Sequence, residues 1–324
     1  MKDETDRSTN RLPVDDSREH LMVQVARMAW QQDMTATEIA QDTGLNRWQV
    51  SRLLQEARDL GIVRIEIVPR SPRNPGQEAA LTRAYGLRDA LVVPSPALED
   101  VAQAAAQYLA TLKPQPRTLG LSWGRTMAAV GHALPQDWAD GVRVVQINGA
   151  VAPLPGGAFT GDVAELFARK GRGRMIPLPV PAIVGARLTR EVLERDRIVA
   201  DVLVQARAAE VLMFSLGVAG EDSILLHSGN ILPDEMQALL AAGAVGDILG
   251  HFIDAQGRIV DPGIEGRTIG LTLEDLKGPA RTVCIAAGPE KQAVTLAALR
   301  AGLIDVLVTD GPTATFALEH ADDR

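Results

Sequence analysis

Four loops of the chain combine glycine with hydroxyl, carboxylate or ammonium side chains, and each lies between an apolar run and a helical pattern. They span residues 122–126, 217–223, 288–291 and 310–313. A helix that begins in such a loop offers free backbone N–H groups and the positive end of its dipole to an anion. Ser122, Gly124 and Thr126 therefore predict a phosphate site, although glycine, serine and aspartate also serve βα turns for geometry alone.

Seven short apolar or β-branched runs alternate with helical patterns, and four of them lead into these loops. The runs are residues 90–93, 118–122, 142–148, 175–178, 211–216, 283–287 and 306–309. This alternation predicts an α/β fold with a mostly parallel sheet that is covered on both faces. Because the carboxyl ends of parallel strands share one edge, we expect the loops to converge there. Residues 254–257 are predicted instead to turn between two strands, 248–253 and 258–260.

A helix-turn-helix pattern lies nearer the N-terminus. Thr35 and Glu38 have the spacing of a capping box, Asn46 and Gln49 repeat it, and Gly44 lies in the turn between the two helices. Such a pair of helices places the N-terminal half of the second one against DNA bases and phosphates. The side chains predicted there are Arg47, Trp48, Gln49, Ser51 and Arg52, with Thr37 on the first helix as a further contact.

Trp48 has a second interpretation, since its ring could stack on the preceding helix instead of touching DNA. Residues 62–68 alternate enough to predict the β-ribbon strand of a wing, with Arg64 available to a phosphate. A small helical bundle can also contain two capped helices around a glycine turn. The arginines and the strand that follows favour DNA binding, and they predict a winged helix-turn-helix over residues 18–68.

The charge distribution bears on the same question. The chain has a net charge of −8, which by itself argues against contacts to DNA phosphates. Residues 44–73, however, contain six arginines against three acidic residues, Glu56, Asp59 and Glu66. The predicted DNA-binding segment is therefore locally basic within an acidic protein.

Composition disfavours several other classes of protein. No apolar stretch approaches the ~20 residues of a membrane span, and the polar N-terminus lacks the apolar core of a signal peptide, so we expect a cytoplasmic protein with no membrane contact. The single cysteine, Cys284, lies in an apolar run and is expected to be buried. Five histidines without HxxxH spacing predict no metal site, and no cofactor is expected.

A proline-rich segment divides the chain. Residues 69–76 contain three prolines, which favour an extended connection over a helix or a sheet. We therefore divide the sequence into a poorly ordered tail (1–17), the winged helix-turn-helix (18–68), a linker (69–77) and a large domain (78–324).

From about residue 18 onward the chain resembles the SorC family of sugar-responsive bacterial transcriptional regulators. The matching segments are residues 39–40 through 50–54, 61–65, 120–126, 215–217, 246–248, 287–291 and 305–310. The resemblance implies a large α/β sensor domain related to ribose-5-phosphate isomerase and glucosamine-6-phosphate deaminase. It further implies a phosphorylated sugar as the effector, and homodimers or homotetramers on palindromic operators of double-stranded DNA.

The resemblance also implies a set of effector-binding residues. Those expected around the phosphate are Ser122, Gly124, Arg125, Thr126 and Lys291. Those expected near the rest of the sugar are Asp222 and Asp247, which would face hydroxyls, together with Trp123, Asn148 and Gly149. Some members of the family carry a lysine able to form a Schiff base at the position of Asn148, and asparagine cannot do that chemistry. The glycine pair that the family usually has before Lys291 is here Gly288 followed by Pro289.

Two other functions compete with this one. A sugar-phosphate isomerase or deaminase would need a general base, for which Asp222 or Asp247 would serve, but it would have no use for a DNA-reading helix. A DNA-binding scaffold whose large domain only oligomerises would not be stabilised by sugar phosphates. Nucleotide binding is disfavoured, because neither GxGxxG after the first strand nor GxxxxGK[ST] occurs.

Overall fold

The computed structural model describes residues 16–63, 73–151 and 161–321. The chain divides into two compact units, Met1–Pro69 and Arg70–Arg324, which we call the N-terminal unit and the effector unit. None of the helices within the described ranges is long and apolar enough to cross a membrane.

In the described residues, three helices form the N-terminal unit: α1 (Asp16–Trp30), α2 (Ala36–Thr43) and α3 (Arg47–Asp59). Both predicted capping boxes are present. The Thr35 amide donates to the Glu38 carboxylate (2.8 Å), and the Asn46 amide donates to Gln49 Oε1 (2.9 Å), while each cap side chain accepts in return. Gly44 ends α2 with a φ of 71°, in the left-handed region that the turn requires.

The apolar faces of these helices meet in a small core. Its buried members are Met22, Val25, Met28, Ile39, Val50, Leu53 and Ala57. Because the three members on α3 recur at the spacing of one helix face, the opposite face of α3 is turned to solvent. The predicted wing strand, apart from its first two residues, lies outside the described residues, as do Arg64 and residues 69–72 of the predicted linker.

In the described residues, the effector unit is built on nine strands. They are β1 (Asp89–Val93), β2 (Thr118–Leu121), β3 (Arg143–Gln146), β4 (Arg174–Ile176), β5 (Val211–Val218), β6 (Gly246–Ile248), β7 (His251–Ile253), β8 (Arg281–Ala286) and β9 (Val306–Asp310). Seven are parallel, in the order β1-β9-β8-β5-β2-β3-β4, and β6 pairs antiparallel with both β5 and β7. The predicted α/β fold with a mostly parallel sheet is confirmed.

Helices cover both faces of this sheet. They are α4 (Pro75–Tyr85), α5 (Leu98–Thr111), α6 (Arg125–Ala133), α7 (Gly161–Lys170), α8 (Arg187–Arg195), α9 (Arg197–Arg207), α10 (Ile224–His227), α11 (Pro233–Ala241), α12 (Pro262–Glu265), α13 (Gln292–Arg300) and α14 (Gly311–Glu319), with 3-10 turns at Asp275–Lys277 and Pro289–Lys291. On β5, Leu212 and Phe214 lie in the core on one face, whereas Val211 and Met213 lie in the core on the other. The central strand is therefore buried on both faces, as parallel sheets require.

The end of the linker differs from the sequence prediction. The predicted linker extends through residue 77, but α4 begins at Pro75. Proline suits the first helical position, because its fixed φ fits a helix and its missing N–H would have had no helical partner there. Asn74 caps the helix by accepting from the Gln77 amide (3.3 Å). The proline-rich composition therefore overstates the length of the linker by about one helical turn.

The predicted strand at residues 248–253 is also wrong in detail. It forms β6 and β7 around a tight turn at Leu249 and Gly250, whose φ angles are 57° and 95°. The following turn is present as predicted, since the Gly257 amide donates to the Asp254 carbonyl (2.9 Å). The second predicted strand is reduced to a single bridge between residues 253 and 259.

Candidate functional site

A cavity of about 660 Å³ opens at the carboxyl edge of the sheet. The strand order reverses here, because β3 and β4 extend to one side of β2 whereas β5, β8 and β9 extend to the other. Crevices at such switch points are the usual ligand sites of open α/β sheets. The cavity is lined by residues from the ends of β5 and β6 and from the loops that follow β2, β3, β5 and β8.

Nine of the ten predicted effector-binding residues line this cavity. They are Ser122, Trp123, Gly124, Arg125, Thr126, Asn148, Asp222, Asp247 and Lys291. The tenth, Gly149, is not among the lining residues that the structure describes. It lies against Pro181, and its carbonyl accepts a hydrogen bond from Trp123 Nε1 (2.7 Å). Gly149 thus orients a cavity residue instead of facing the cavity itself.

One part of the cavity is suited to an anion. Gly124, with a φ of 124°, precedes α6, and no described side chain caps the N-terminus of that helix. The Lys291 ammonium donates to Thr126 Oγ1 (2.9 Å) at this point. Burial lowers the pKa of Lys291, and the nearby Arg125 acts in the same direction. An anion placed here would favour the charged ammonium and accept from the free amides of α6, so the arrangement is able to bind a phosphate group.

Two buried polar atoms of the cavity have no hydrogen-bond partner within the described residues, namely Ser122 Oγ and Asn148 Oδ1. The Asn148 backbone is fixed from both sides, since the Ile147 carbonyl accepts from the Leu271 amide (2.8 Å) and the Gly149 amide donates to the Ile269 carbonyl (3.0 Å). A buried polar atom left unpaired costs ~1–3 kcal/mol. Both atoms are therefore positioned to bond to a ligand that carries hydroxyl groups or another polar function.

Asp247 contributes a buried carboxylate to the cavity. Its Oδ2 accepts from the Gly250 amide (2.9 Å), which is part of the tight turn after β6. Gly217 on β5 makes room for this side chain, because any side chain at position 217 would overlap Asp247 Oδ1. Burial raises the pKa of Asp247 to about 6. The carboxylate is thus a fixed acceptor whose charge changes close to neutral pH.

Several lining residues were not among the predicted effector-binding residues. They are Pro96, Leu98, Ser215, Leu216, Gly217, Val218, Ile224, Leu249, Gly250, Ala287, Gly288, Pro289 and Glu290. Those at 215–217 and 287–290 lie in segments that carried the family resemblance, so the signal was available. Pro96 and Leu98 follow the edge strand β1, and only the tertiary fold brings them to the cavity.

Asp222 is exposed, and the Oγ of its buried neighbour Ser223 has no partner among the described residues.

The fourth predicted loop, 310–313, supports the cavity from behind its lining. Asp310 Oδ2 accepts from the Gly288 amide (2.8 Å), which fixes the loop that carries Lys291.

The cysteine is buried on β8, and burial raises the pKa of Cys284 to about 12, so that its thiol stays neutral. In the described part of the chain, no cluster of His, Cys, Asp and Glu is arranged to hold a metal ion.

The second candidate site is the solvent-facing side of α3 in the N-terminal unit. Every predicted DNA contact within the described residues is exposed: Thr37, Arg47, Trp48, Gln49, Ser51 and Arg52. Trp48 is 69% exposed, and the Arg52 guanidinium lies over its ring, 5.6 Å from the centroid. Most of the indole is therefore free to contact DNA. Arg52 also pairs with Glu56 (3.1 Å), whose carboxylate is shared with Arg18 of α1.

We expect the variant Arg52→Ala to weaken binding to operator DNA by about 1–3 kcal/mol, the usual value of an arginine that reads a base. The operator would be selected from a random DNA pool by the full-length protein, and affinity measured by fluorescence anisotropy at fixed salt. Arg58→Ala is the matched control, because Arg58 lies further along α3, over Trp30 (5.2 Å). If the folded Arg52→Ala variant binds operator DNA as tightly as Arg58→Ala, Arg52 does not contribute to DNA binding.

Comparison with known proteins covers both units. Residues 73–319 match the family model described as "Putative sugar-binding domain". The deoxyribonucleoside regulator of Bacillus subtilis (strain 168) is 29% identical over 307 residues, which cover 93% of this chain and 98% of that protein. Transcriptional regulator LsrR of Enterobacter sp. (strain 638) is 32% identical over 310 residues, which cover 92% of this chain and 93% of that protein.

A solved structure extends the likeness to three dimensions. The full-length sorbitol operon regulator SorC of Klebsiella pneumoniae has a TM-score of 0.77 at 27% identity, over 94% of this chain and 100% of that one. These relatives are transcriptional regulators, which decides against the isomerase or deaminase alternative. The exposed arginines of α3 and the cavity at the switch point agree with a regulator that binds DNA and senses a small molecule. The chain belongs to the SorC family of sugar-responsive, DNA-binding transcriptional regulators.

Proposed function

We propose that the cavity binds a phosphorylated sugar, and that this binding changes the affinity of the protein for its operator DNA. The observation that carries the proposal is that one cavity contains both a site suited to an anion and buried acceptors for hydroxyl groups. Lys291 and the N-terminus of α6 suit an anion, whereas Asn148 and Asp247 offer buried acceptors for hydroxyl groups. A sugar phosphate carries the two matching groups on one small molecule.

The names of two relatives favour an effector of the sugar kind. One relative regulates a sorbitol operon, and the other is named for deoxyribonucleosides. Sorbitol is a polyhydroxylated chain and a deoxyribonucleoside contains a sugar. For this chain we infer the class alone, a small phosphorylated sugar.

Several of the predicted residues take a role from their position in the cavity. Lys291, Thr126 and the amides after Gly124 would hold the phosphate, with Ser122 Oγ as a further donor. Asn148 Oδ1 and the Asp247 carboxylate would accept from hydroxyls of the sugar. Because an asparagine at 148 cannot form an imine, we propose that the effector is held without a covalent bond.

The DNA-reading side of the proposal rests on α3. One such helix reads only a few base pairs, and regulators of this kind reach a full site by pairing two helices on the two halves of a palindrome. We therefore propose that the protein binds a palindromic operator as a homodimer or homotetramer. Since its DNA target is the bacterial chromosome, the proposal places the protein in the cytoplasm.

The proposal is tested by the melting temperature of the full-length protein in a panel of sugar phosphates that includes ribose 5-phosphate and glucosamine 6-phosphate. The matched controls are the same sugars without phosphate. A ligand present at a hundredfold excess over its Kd stabilises the folded state by roughly 2.7 kcal/mol, a shift of a few degrees. We expect a phosphorylated sugar to give this shift and its parent sugar to give none. A panel without any shift would favour the scaffold whose large domain only oligomerises.

A further inference from the structure

A series of hydrogen bonds connects the cavity with the start of the effector unit. Its first member is the loop at residues 288–291, which carries Lys291 and which we call the anion loop. The Gly288 amide donates to Asp310 Oδ2 (2.8 Å), and the Thr313 amide donates to Asp310 Oδ1 (2.7 Å). Asp310 and Thr313 are both fully buried. One buried carboxylate therefore holds the anion loop and the first turn of α14 together.

Gln77 carries the connection from α14 to α4. Its Nε2 donates to the Gly311 carbonyl (3.3 Å) and to Thr315 Oγ1 (2.8 Å), both in the first turns of α14. Its Oε1 accepts from Asn74 Nδ2 (2.8 Å). The amide of Gln77 is thus bonded through both of its ends, which fixes α4 against the helix that Asp310 begins.

The series ends at residues 73–78, which we call the linker exit because they follow the proline-rich segment. The Asn74 amide donates to the Val92 carbonyl on the edge strand β1 (2.8 Å), and Glu78 Oε1 accepts from the Val92 amide (3.0 Å). Glu78 also binds the Arg73 guanidinium with both oxygens (2.7 and 2.9 Å). The linker exit is therefore tied to β1 on one side and, through Gln77, to α14 on the other.

We propose that Asp310 and Gln77 transmit occupancy of the cavity from the anion loop to the linker exit. This inference rests on the proposed function, because it requires an anion at Lys291. An anion that accepts from Lys291 Nζ can do so while Thr126 Oγ1 keeps its own bond, because an ammonium has three donors. The added contact holds the anion loop more firmly, and this adjustment slows local opening of the loop. Asp310 links the loop to α14 through a buried carboxylate that accepts from both, and a satisfied buried network of this kind is rigid, so the adjustment reaches the helix. Gln77 passes the adjustment to Asn74, from which the chain continues toward the N-terminal unit.

The test is amide hydrogen exchange of the full-length protein with and without inorganic phosphate. In the wild type we expect phosphate to slow exchange in the anion loop, and also at Asn74, Gln77 and Glu78, where slowing of about fivefold would match the usual coupling between linked sites. The variant Gln77→Ala should keep the slowing in the anion loop and lose it at the linker exit. Thr315→Val removes one acceptor of Gln77 and should lose part of it.

Gln205→Ala is the matched control, because this glutamine on α9 bonds only to the Asp201 carbonyl of its own helix among the partners that the structure describes (3.3 Å). It should behave like the wild type. If phosphate still slows exchange fully at the linker exit of Gln77→Ala, Gln77 does not transmit occupancy of the cavity, and the proposal is wrong. An absence of slowing in the anion loop of the wild type would instead contradict the anion site itself, and with it the proposed function.

Discussion

The variant Lys291→Met should bind its sugar phosphate roughly 10- to 100-fold more weakly than the wild type. A hydrogen bond to a charged partner contributes about 1.5–3 kcal/mol, and about 1.4 kcal/mol corresponds to a tenfold change in affinity. The Lys291 ammonium is well placed for this contact, because it reaches the uncapped N-terminus of α6 and is held there by Thr126. The affinity would be measured by titration calorimetry with the panel member that gives the largest melting shift.

Two controls separate the loss of an anion contact from damage to the protein. Lys277→Met removes an exposed lysine that pairs with Glu274 (3.5 Å), and it should leave the affinity for the sugar phosphate unchanged. Lys291→Met should bind operator DNA like the wild type when no sugar phosphate is present, and should not respond at a concentration that just saturates the wild type, because the response follows ligand binding. A variant that keeps the full response would show that the phosphate is placed wrongly.

The elements that local sequence determines were predicted most closely. Thr35 and Asn46 begin their helices because a capping box needs only residues three positions apart, and a left-handed turn needs only a glycine such as Gly44. The seven parallel strands could be located for a similar reason, since strands buried on both faces are continuous apolar runs. The order in which those strands pair was not predicted, because pairing depends on contacts between distant parts of the chain.

The cavity was predicted in part. The part of the cavity at the N-terminus of α6 followed from Ser122, Gly124 and Thr126, because a strand, a glycine-containing loop and a helix are consecutive in sequence. Gly149 was expected at the cavity from the family resemblance alone, and its close approach to Pro181 depends on the fold. The turn at Leu249 was missed because a leucine with a positive φ carries no local signal. That Asp310 holds the anion loop was not predicted, because its partner, the Gly288 amide, lies next to it only in the folded chain.

Asp247 gives the second prediction, which concerns stability and pH. Burial raises the pKa of this carboxyl from 3.8 to about 6. A raised pKa means that the folded state binds the proton more tightly than the unfolded chain, so the stability that Asp247 contributes is complete below its ordinary pKa and is lost as the pH rises through about 6. At 1.36 kcal/mol for each pKa unit, the loss amounts to about 3 kcal/mol. The folded protein therefore tolerates a costly charge at neutral pH, in a cavity where a charged acceptor binds hydroxyls best.

The variant Asp247→Asn should remove this pH dependence, because an amide does not ionise. We would measure the free energy of unfolding by urea denaturation at about pH 4 and about pH 8, since the difference between the two cancels any constant effect of the substitution. Between these values the wild type should lose about 2.5 kcal/mol more than Asp247→Asn, because the carboxyl of the unfolded chain is already partly ionised at pH 4. Asp222→Asn, which alters an exposed carboxylate of the same cavity, should keep the wild-type dependence. Asp247→Asn thus removes the stability loss at neutral pH, but it should bind the sugar phosphate more weakly than the wild type. The reason is that a neutral amide accepts a hydrogen bond more weakly than a carboxylate. Equal pH dependence in Asp247→Asn and the wild type would show that Asp247 does not hold a costly charge.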